Sequence, residues 1–161
     1  MKMNLTWSKG LFSSRYQIYS NGKQLGNLTD KPLSRTTKGM FNGKEYLFRN
    51  SGFFKQHTEI IDCSDNKVIG RIDYNSWRSK ATITVNGRRF NWKYDNLWST
   101  RWSISDSNGT SVKFTSSTTK GHIDADTDNG LLILYGLFIK NYYLQVAFIV
   151  ILVAVIIPAI G

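Results

Sequence analysis

Through the first four-fifths of the chain, short stretches of alternating apolar and polar side chains end repeatedly in turn-forming pairs. Tyr16 and Ile18 alternate with Gln17 and Tyr19 before Asn21-Gly22, and Leu25 and Leu28 follow it. Tyr46-Leu47-Phe48 follows Asn42-Gly43, and Ala81-Thr82-Ile83-Thr84-Val85 runs into Asn86-Gly87 and leaves as Arg88-Arg89-Phe90-Asn91-Trp92. Trp102-Ser103-Ile104 and Val112-Lys113-Phe114 flank Asn108-Gly109. Alternation with a period of two puts successive side chains on opposite faces of a strand. Asn-Gly accepts the positive φ of a tight hairpin turn. Ser64-Asp65-Asn66-Lys67, another turn-forming set, fills the gap, so turns recur roughly every 21 to 23 residues. That is the span of two strands with their connections. With a strand near Leu5–Trp7 and another near His122–Ile123, the pattern predicts about ten to twelve antiparallel strands, enough to curl or close into a barrel. No segment before Asp128 holds a helical period.

After Gly130 the pattern changes. Leu131–Ile139 is apolar on every side, as a fully enclosed helix is. A second run, Leu144–Ile160, has Gln145 as its one internal polar side chain, and with its uncharged flanks it approaches the length of a bilayer crossing. A continuous helix from Leu131 to Ile157 would be about 40 Å long, more than the height expected of a barrel with six- to eight-residue tilted strands. One run is therefore expected to fill the barrel and the other to lie elsewhere. The expected division is a barrel over residues 1–143, with its central helix near 130–142, and a transmembrane anchor over 144–160. Barrel filling and an oligomer contact are the alternatives for the second run. Lys140, Tyr142 and Tyr143 fall between the two, and a cation beside paired tyrosines suits a headgroup interface.

Charge sharpens this. The 161 residues carry a formal charge of +10. Every Lys and Arg except Lys140 lies at or before Lys120, and nothing charged follows Lys140. A basic body ahead of an uncharged tail is drawn to anionic surfaces. The positive-inside bias puts that body on the cytoplasmic side of a single-pass, tail-anchored chain. Met1–Lys9 has no apolar core of the signal-peptide kind. Cys63, the single cysteine, has no partner for an internal disulfide and fits a reducing compartment.

Together these features resemble the tubby C-terminal-like superfamily, which includes LURP-one-related proteins and phospholipid scramblases. The resemblance runs from about Arg15 to Tyr143. It is carried by Phe41-Asn42-Gly43-Lys44-Glu45-Tyr46-Leu47-Phe48-Arg49, Gly52-Phe53-Phe54-Lys55, Val68-Ile69-Gly70-Arg71, Val85–Trp92, Trp98 with Trp102, and Leu131–Ile139. It implies a mainly β fold: a closed antiparallel barrel threaded by one central apolar helix, here with a further C-terminal apolar helix.

Catalytic chemistry is not expected. Cys63 and His57 are six residues apart on one presumed strand face, roughly 20 Å from each other. His57 and His122 are too few for a histidine metal site, and there is no Cys-x-x-Cys. Asp124, Asp126 and Asp128 alternate ahead of Asn129-Gly130 but lack the later bidentate Glu of a calcium loop. They read instead as a polar lead-in and N-cap to the first apolar helix. No phosphate-cradling or dinucleotide glycine pattern occurs, so the chain reads as a non-enzyme without cofactor or metal.

The candidate binding set is basic and aromatic. Arg71, Arg78, Lys80, Arg88, Arg89, Lys93, Arg101 and Lys113 interleave with Tyr74, Trp77, Trp92, Tyr94, Trp98 and Trp102. Such a set can hold anionic phospholipid or, by stacking, nucleic acid; the plainest reading is aromatics inward and a solvated basic face outward. Attachment to a membrane favours lipid over nucleic acid. The expected function is non-catalytic: a membrane-anchored tubby-like domain that binds anionic lipid or a protein partner. A scramblase-like lipid translocator, or a soluble ligand- or nucleic-acid-binding barrel with its whole tail buried, are the alternatives.

Overall fold

The structure, a computed structural model, describes residues 2–11, 13–30, 35–51, 57–75 and 79–160. Twelve strands form it: β1 (Met3–Lys9), β2 (Arg15–Ser20), β3 (Lys23–Asp30), β4 (Thr36–Phe41), β5 (Lys44–Asn50), β6 (His57–Asp62), β7 (Lys67–Tyr74), β8 (Lys80–Val85), β9 (Arg88–Tyr94), β10 (Arg101–Ser105), β11 (Ser111–Thr115) and β12 (Lys120–Ala125). Each pairs antiparallel with its sequence neighbours, and β1 pairs with β12 from Met3↔Ala125 to Ser8↔Lys120, which closes the barrel. Closure leaves no unpaired sheet edge. The mainly β fold and closed antiparallel barrel expected from the hairpin rhythm are what forms, at the upper end of the expected strand number.

Turn chemistry explains the register. Asn21-Gly22, Asn42-Gly43 and Asn86-Gly87 each hold both residues at positive φ, between 48° and 79°, as type I′ turns require. Asn108-Gly109 departs from this pattern. Only Gly109 is at positive φ, and the loop is organised by Asp106, whose Oδ1 accepts from the Asn108 and Thr110 amides at 3.0 and 2.9 Å.

One helix follows, α1 (Gly130–Ile160), 31 residues long and therefore about 46 Å. The sequence suggested two apolar segments with separate fates; they are one uninterrupted rod. Its residues from Leu131 to Ile139 are buried inside the barrel with Lys140, Asn141 and Tyr143, whereas nearly all of those from Leu144 onward are exposed. The acids before it do not cap it. Asn129 does, its Oδ1 accepting from the Leu131 amide at 3.2 Å, with Thr127 Oγ1 in turn accepting from the Asn129 amide. Asp124 belongs to β12 and Asp126 and Asp128 precede the cap.

Gly136 sets how closely rod and wall approach. A Cβ there would lie 2.1 Å from the Phe114 ring. Its carbonyl accepts from both the Trp92 and Trp102 indoles, at 3.3 and 3.0 Å. The buried faces of the strands fill the rest of the lumen: Trp102 stacks on Phe114 with ring centroids 5.4 Å apart, and Phe48 stacks on Phe138 at 4.6 Å.

Candidate membrane-facing end of the barrel

The up-and-down order sorts the connections by end. The turns at 21–22, 42–43, 63–66, 86–87 and 106–110 lie where α1 enters; the opposite strand ends, from Lys9 and Arg15 round to Thr115 and Lys120, with the connections at 95–100 and 116–119, lie where it leaves. Gly130 sits against Phe41 at the entry. At the other end the helix meets a polar collar supplied by strand ends and connections.

The collar is built residue by residue. Asn141 donates to Asp30 Oδ2 at 2.9 Å and accepts from the Tyr16 hydroxyl at 3.2 Å. Gln145, one turn on, donates to the same Asp30 oxygen at 2.7 Å. Tyr143 donates to the Lys80 carbonyl and packs edge-on to Tyr74, on which Tyr142 stacks with centroids 4.1 Å apart. Lys140 is buried, its Nζ donating to the Ser99 carbonyl and lying 4.9 and 5.1 Å from the Tyr94 and Trp102 rings. Burial, and then the charge of Lys9, push the Lys140 ammonium down to about 8. Burial pushes Tyr94 up to about 12, against the pull of a Ser99 hydrogen bond, and raises Tyr16 and Tyr74 further.

Lys140, Tyr142 and Tyr143 thus stand at the mouth, as an interfacial trio would. The polar atoms of Lys140 and Tyr143 point to the collar rather than outward, and the Tyr142 ring stacks on Tyr74: each partner is a strand-end or loop group some 40 to 70 residues away in sequence, which spacing along the helix could not reveal.

The basic set does not gather on one surface. Arg88 and Arg89 lie at the entry end, where Arg88 pairs with Asp106 at 2.6 Å. Arg71 lies along β7, paired with Asp73 at 2.8 Å. Lys80, Lys93 and Arg101 share the exit end, Lys80 directly opposite Lys93 in the β8–β9 register. Like charges placed opposite each other are unfavourable, and here Lys93 Nζ lies 4.0 Å from Asp95 Oδ1, which offsets part of that cost. Arg78 and Trp77, with Gly52–Lys55, lie outside the described residues. Trp92 and Trp102 are core, Tyr74 is buried and Tyr94 half-buried, so most of the aromatics face inward with the charges outward.

The two ends differ in charge. Lys2, Lys23, Lys44, Lys67, Arg88, Arg89 and Lys113 at the entry are matched by Glu45, Asp62, Asp65, Asp106, Asp124, Asp126 and Asp128. At the exit, among the described residues, Lys9, Arg15, Arg35, Arg49, Lys80, Lys93, Arg101 and Lys120 outnumber the acids Asp30, Glu59, Asp73 and Asp95, of which Glu59 pairs with Arg49 at 2.6 Å. Two of those acids are engaged internally: Asp30 by Thr37, Asn141 and Gln145, and Asp95 by Ser103. Apart from Arg35, these cations sit at strand ends rather than in the connections, so their gathering at one end follows from the strand order.

Elsewhere, His57 Nδ1 lies 3.0 Å from the Ser51 hydroxyl. Cys63 is partly buried, with its thiol pushed up by burial and by Glu45. Among the described residues no three His, Cys, Asp or Glu side chains converge as metal ligands.

Comparison with family models, with curated proteins and with solved structures finds no match for this chain. The barrel's own geometry is therefore the basis for the functional reading. α1 is long and apolar enough to cross a membrane.

Proposed function

We propose that this protein is a non-catalytic, tubby-like barrel held on the cytoplasmic face of a membrane by the outer half of α1, where its body binds anionic lipid or a protein partner. One observation carries the reading. Burial stops at Tyr143, yet the apolar sequence continues, and Phe148, Ile151, Val155, Ile157 and Ile160 are each more than 60% exposed. A run of large apolar side chains this long is not left in water by a monomeric soluble protein. The lumen is already filled by the inner half, so the outer half needs another apolar medium. A bilayer supplies one, and the excess of cations sits at the end nearest to it, as attraction to anionic headgroups requires.

The test is membrane fractionation with an alkaline carbonate wash, comparing the full chain with one ending at Tyr143. The full chain is expected to stay in the pellet. The shortened chain, which keeps the whole buried part of the helix, is expected to be folded and soluble. A full chain released by the wash overturns the reading. Vesicle binding by the shortened barrel, stronger on phosphatidylserine than on phosphatidylcholine and weakened by salt, supports the lipid role; equal binding to both removes it.

A further inference from the structure

We propose that the connection between β9 and β10 is a membrane-docking finger whose tip, Leu97 and Trp98, enters the headgroup layer of the bilayer that the outer half of α1 crosses. This rests on the anchor reading above. The first observation is a mismatch between order and exposure. The loop is firmly built: Asn96 Oδ1 accepts from the Thr100 and Arg101 amides at 3.0 and 3.1 Å, its Nδ2 donates to Thr100 Oγ1 at 2.6 Å, and the Asp95 amide donates to the Arg101 carbonyl at 2.9 Å. Ser99 is held at φ 57°, a conformation that non-glycine residues seldom adopt. Yet this fixed frame presents Leu97 at 100% and Trp98 at 85% exposure. Two adjacent large apolar side chains on a fixed turn, with nothing among the described residues covering them, suit a surface that receives them.

The second observation identifies that surface. The Ser99 carbonyl accepts the Lys140 ammonium, which ties the finger to the last buried turn of α1. Lys140 precedes Leu144, where exposure begins, by four residues, or about 6 Å along the axis. No polar linker separates the enclosed part of the helix from the exposed apolar part. Drawing the exposed part into lipid therefore brings the mouth of the barrel, with the finger beside it, down to the headgroups. Trp beside cations is the composition that layer favours, and Lys93 and Arg101 stand at the two feet of the loop.

The experiment uses the full chain in a Cys63→Ser background, reconstituted in phosphatidylcholine–phosphatidylserine vesicles. Single cysteines replace Leu97, Asn108 or Leu152, each carrying an environment-sensitive fluorophore. Leu97 is fully exposed and Asn108 exposed, at opposite ends of the barrel, so neither label displaces core packing. The expected result is a blue-shifted emission, several-fold quenched by nitroxide lipids, at position 152 and at 97, with 97 answering best to quenchers near the headgroup and 108 unaffected. Position 152 quenched while 97 stays as aqueous as 108 overturns the finger and leaves the anchor standing; in that case the exposed tip belongs to a protein partner. An aqueous signal at 152 overturns both.

Discussion

The two halves of α1 are made of nearly the same material and live in opposite surroundings. Inside the barrel, Leu132, Ile133, Leu134, Leu137 and Ile139 are at most 1% exposed; outside it, Leu144 and Ile149 through Val153 are each more than 40% exposed. Hydrophobicity does not distinguish them. What does is the set of groups needing a specific neighbour. The inner half has Gly136, whose missing side chain admits Phe114, and Lys140, Asn141 and Tyr143, whose polar atoms are matched by the mouth of the barrel. Beyond Gln145 the outer half has only aliphatic and aromatic side chains, Pro158 excepted, and nothing that specifies a protein contact. A helix shaped for one socket and a helix suited to any apolar medium are joined at a single peptide bond.

The sharpest way to break this comparison is to place the same charge in each half. Leu134→Asp puts a carboxylate at a fully buried position in the apolar core, at a loss of about 5 kcal/mol or more. That is comparable to the whole stability of a domain this size, so no folded barrel is expected by circular dichroism. Leu152→Asp is expected to leave thermal unfolding in detergent within about 0.5 kcal/mol of the parent. It should instead penalise membrane insertion by about 3 kcal/mol, read as loss from the carbonate-resistant pellet. Equal destabilisation by both would mean that the outer half is also packed against protein.

Adding one methyl group is a finer probe. Gly136→Ala forces a Cβ into the Phe114 ring and disturbs the carbonyl that both indoles share, so about 1–3 kcal/mol should be lost. A methyl group added at Ala154, on the exposed half, should change nothing measurable in detergent melts. If Gly136→Ala melts like the parent, the helix is not seated as closely on the wall as the structure has it.

These contrasts bear on what the sequence could tell. The strands were legible because hairpins are local: alternation within five to eight residues and Asn-Gly at the bends decide them, and only the Asn108-Gly109 loop differed, since Asp106 took over its hydrogen bonding. The filling of the barrel was legible as a conflict of lengths. The partners of the collar were not, because Lys140 meets Ser99 and Tyr143 meets Lys80 only once β8 to β10 have closed around the helix. A lone lysine in an apolar run looks like an interfacial anchor until those partners are in place. The split of the basic residues between two ends was hidden for a related reason: their end depends on whether they start or finish an odd or an even strand, which only the complete up-and-down order assigns.

A smaller effect is expected at the collar itself. Tyr143→Phe keeps the ring contacts with Tyr74 and Trp92 and removes only the hydroxyl, which donates to the Lys80 carbonyl and lies 3.4 Å from Asn75 Oδ1. A loss of about 1 kcal/mol follows from a single neutral hydrogen bond. A loss nearer zero would show that water replaces the hydroxyl, and hence that the mouth is wetter than the buried position of Tyr143 implies.

The last expected effect is a dependence on pH, and its sign is what tests the collar. Lys140 is held near 8 in the folded chain, below the ordinary lysine value of 10.5. Between about pH 8 and 10 the unfolded chain therefore keeps a proton on this group that the folded chain has released, and stability must rise with pH across that window. The groups that face Lys140 do not reverse the sign: the Ser99 carbonyl and the Tyr94 and Trp102 rings carry no charge there, and Lys9, itself lowered by burial, acts in the same direction. Above about pH 10 the trend should turn over. Buried Tyr16, Tyr74, Tyr94 and Tyr135 are all raised, so unfolded tyrosines ionise while folded ones do not, and stability then falls. Lys140→Met should remove most of the rise between pH 8 and 10 and leave the fall above it, read as the midpoint of thermal unfolding in detergent at each pH. An unchanged rise in the variant would mean that the ammonium is solvated, and that the helix leaves the barrel through an open mouth rather than a closed collar.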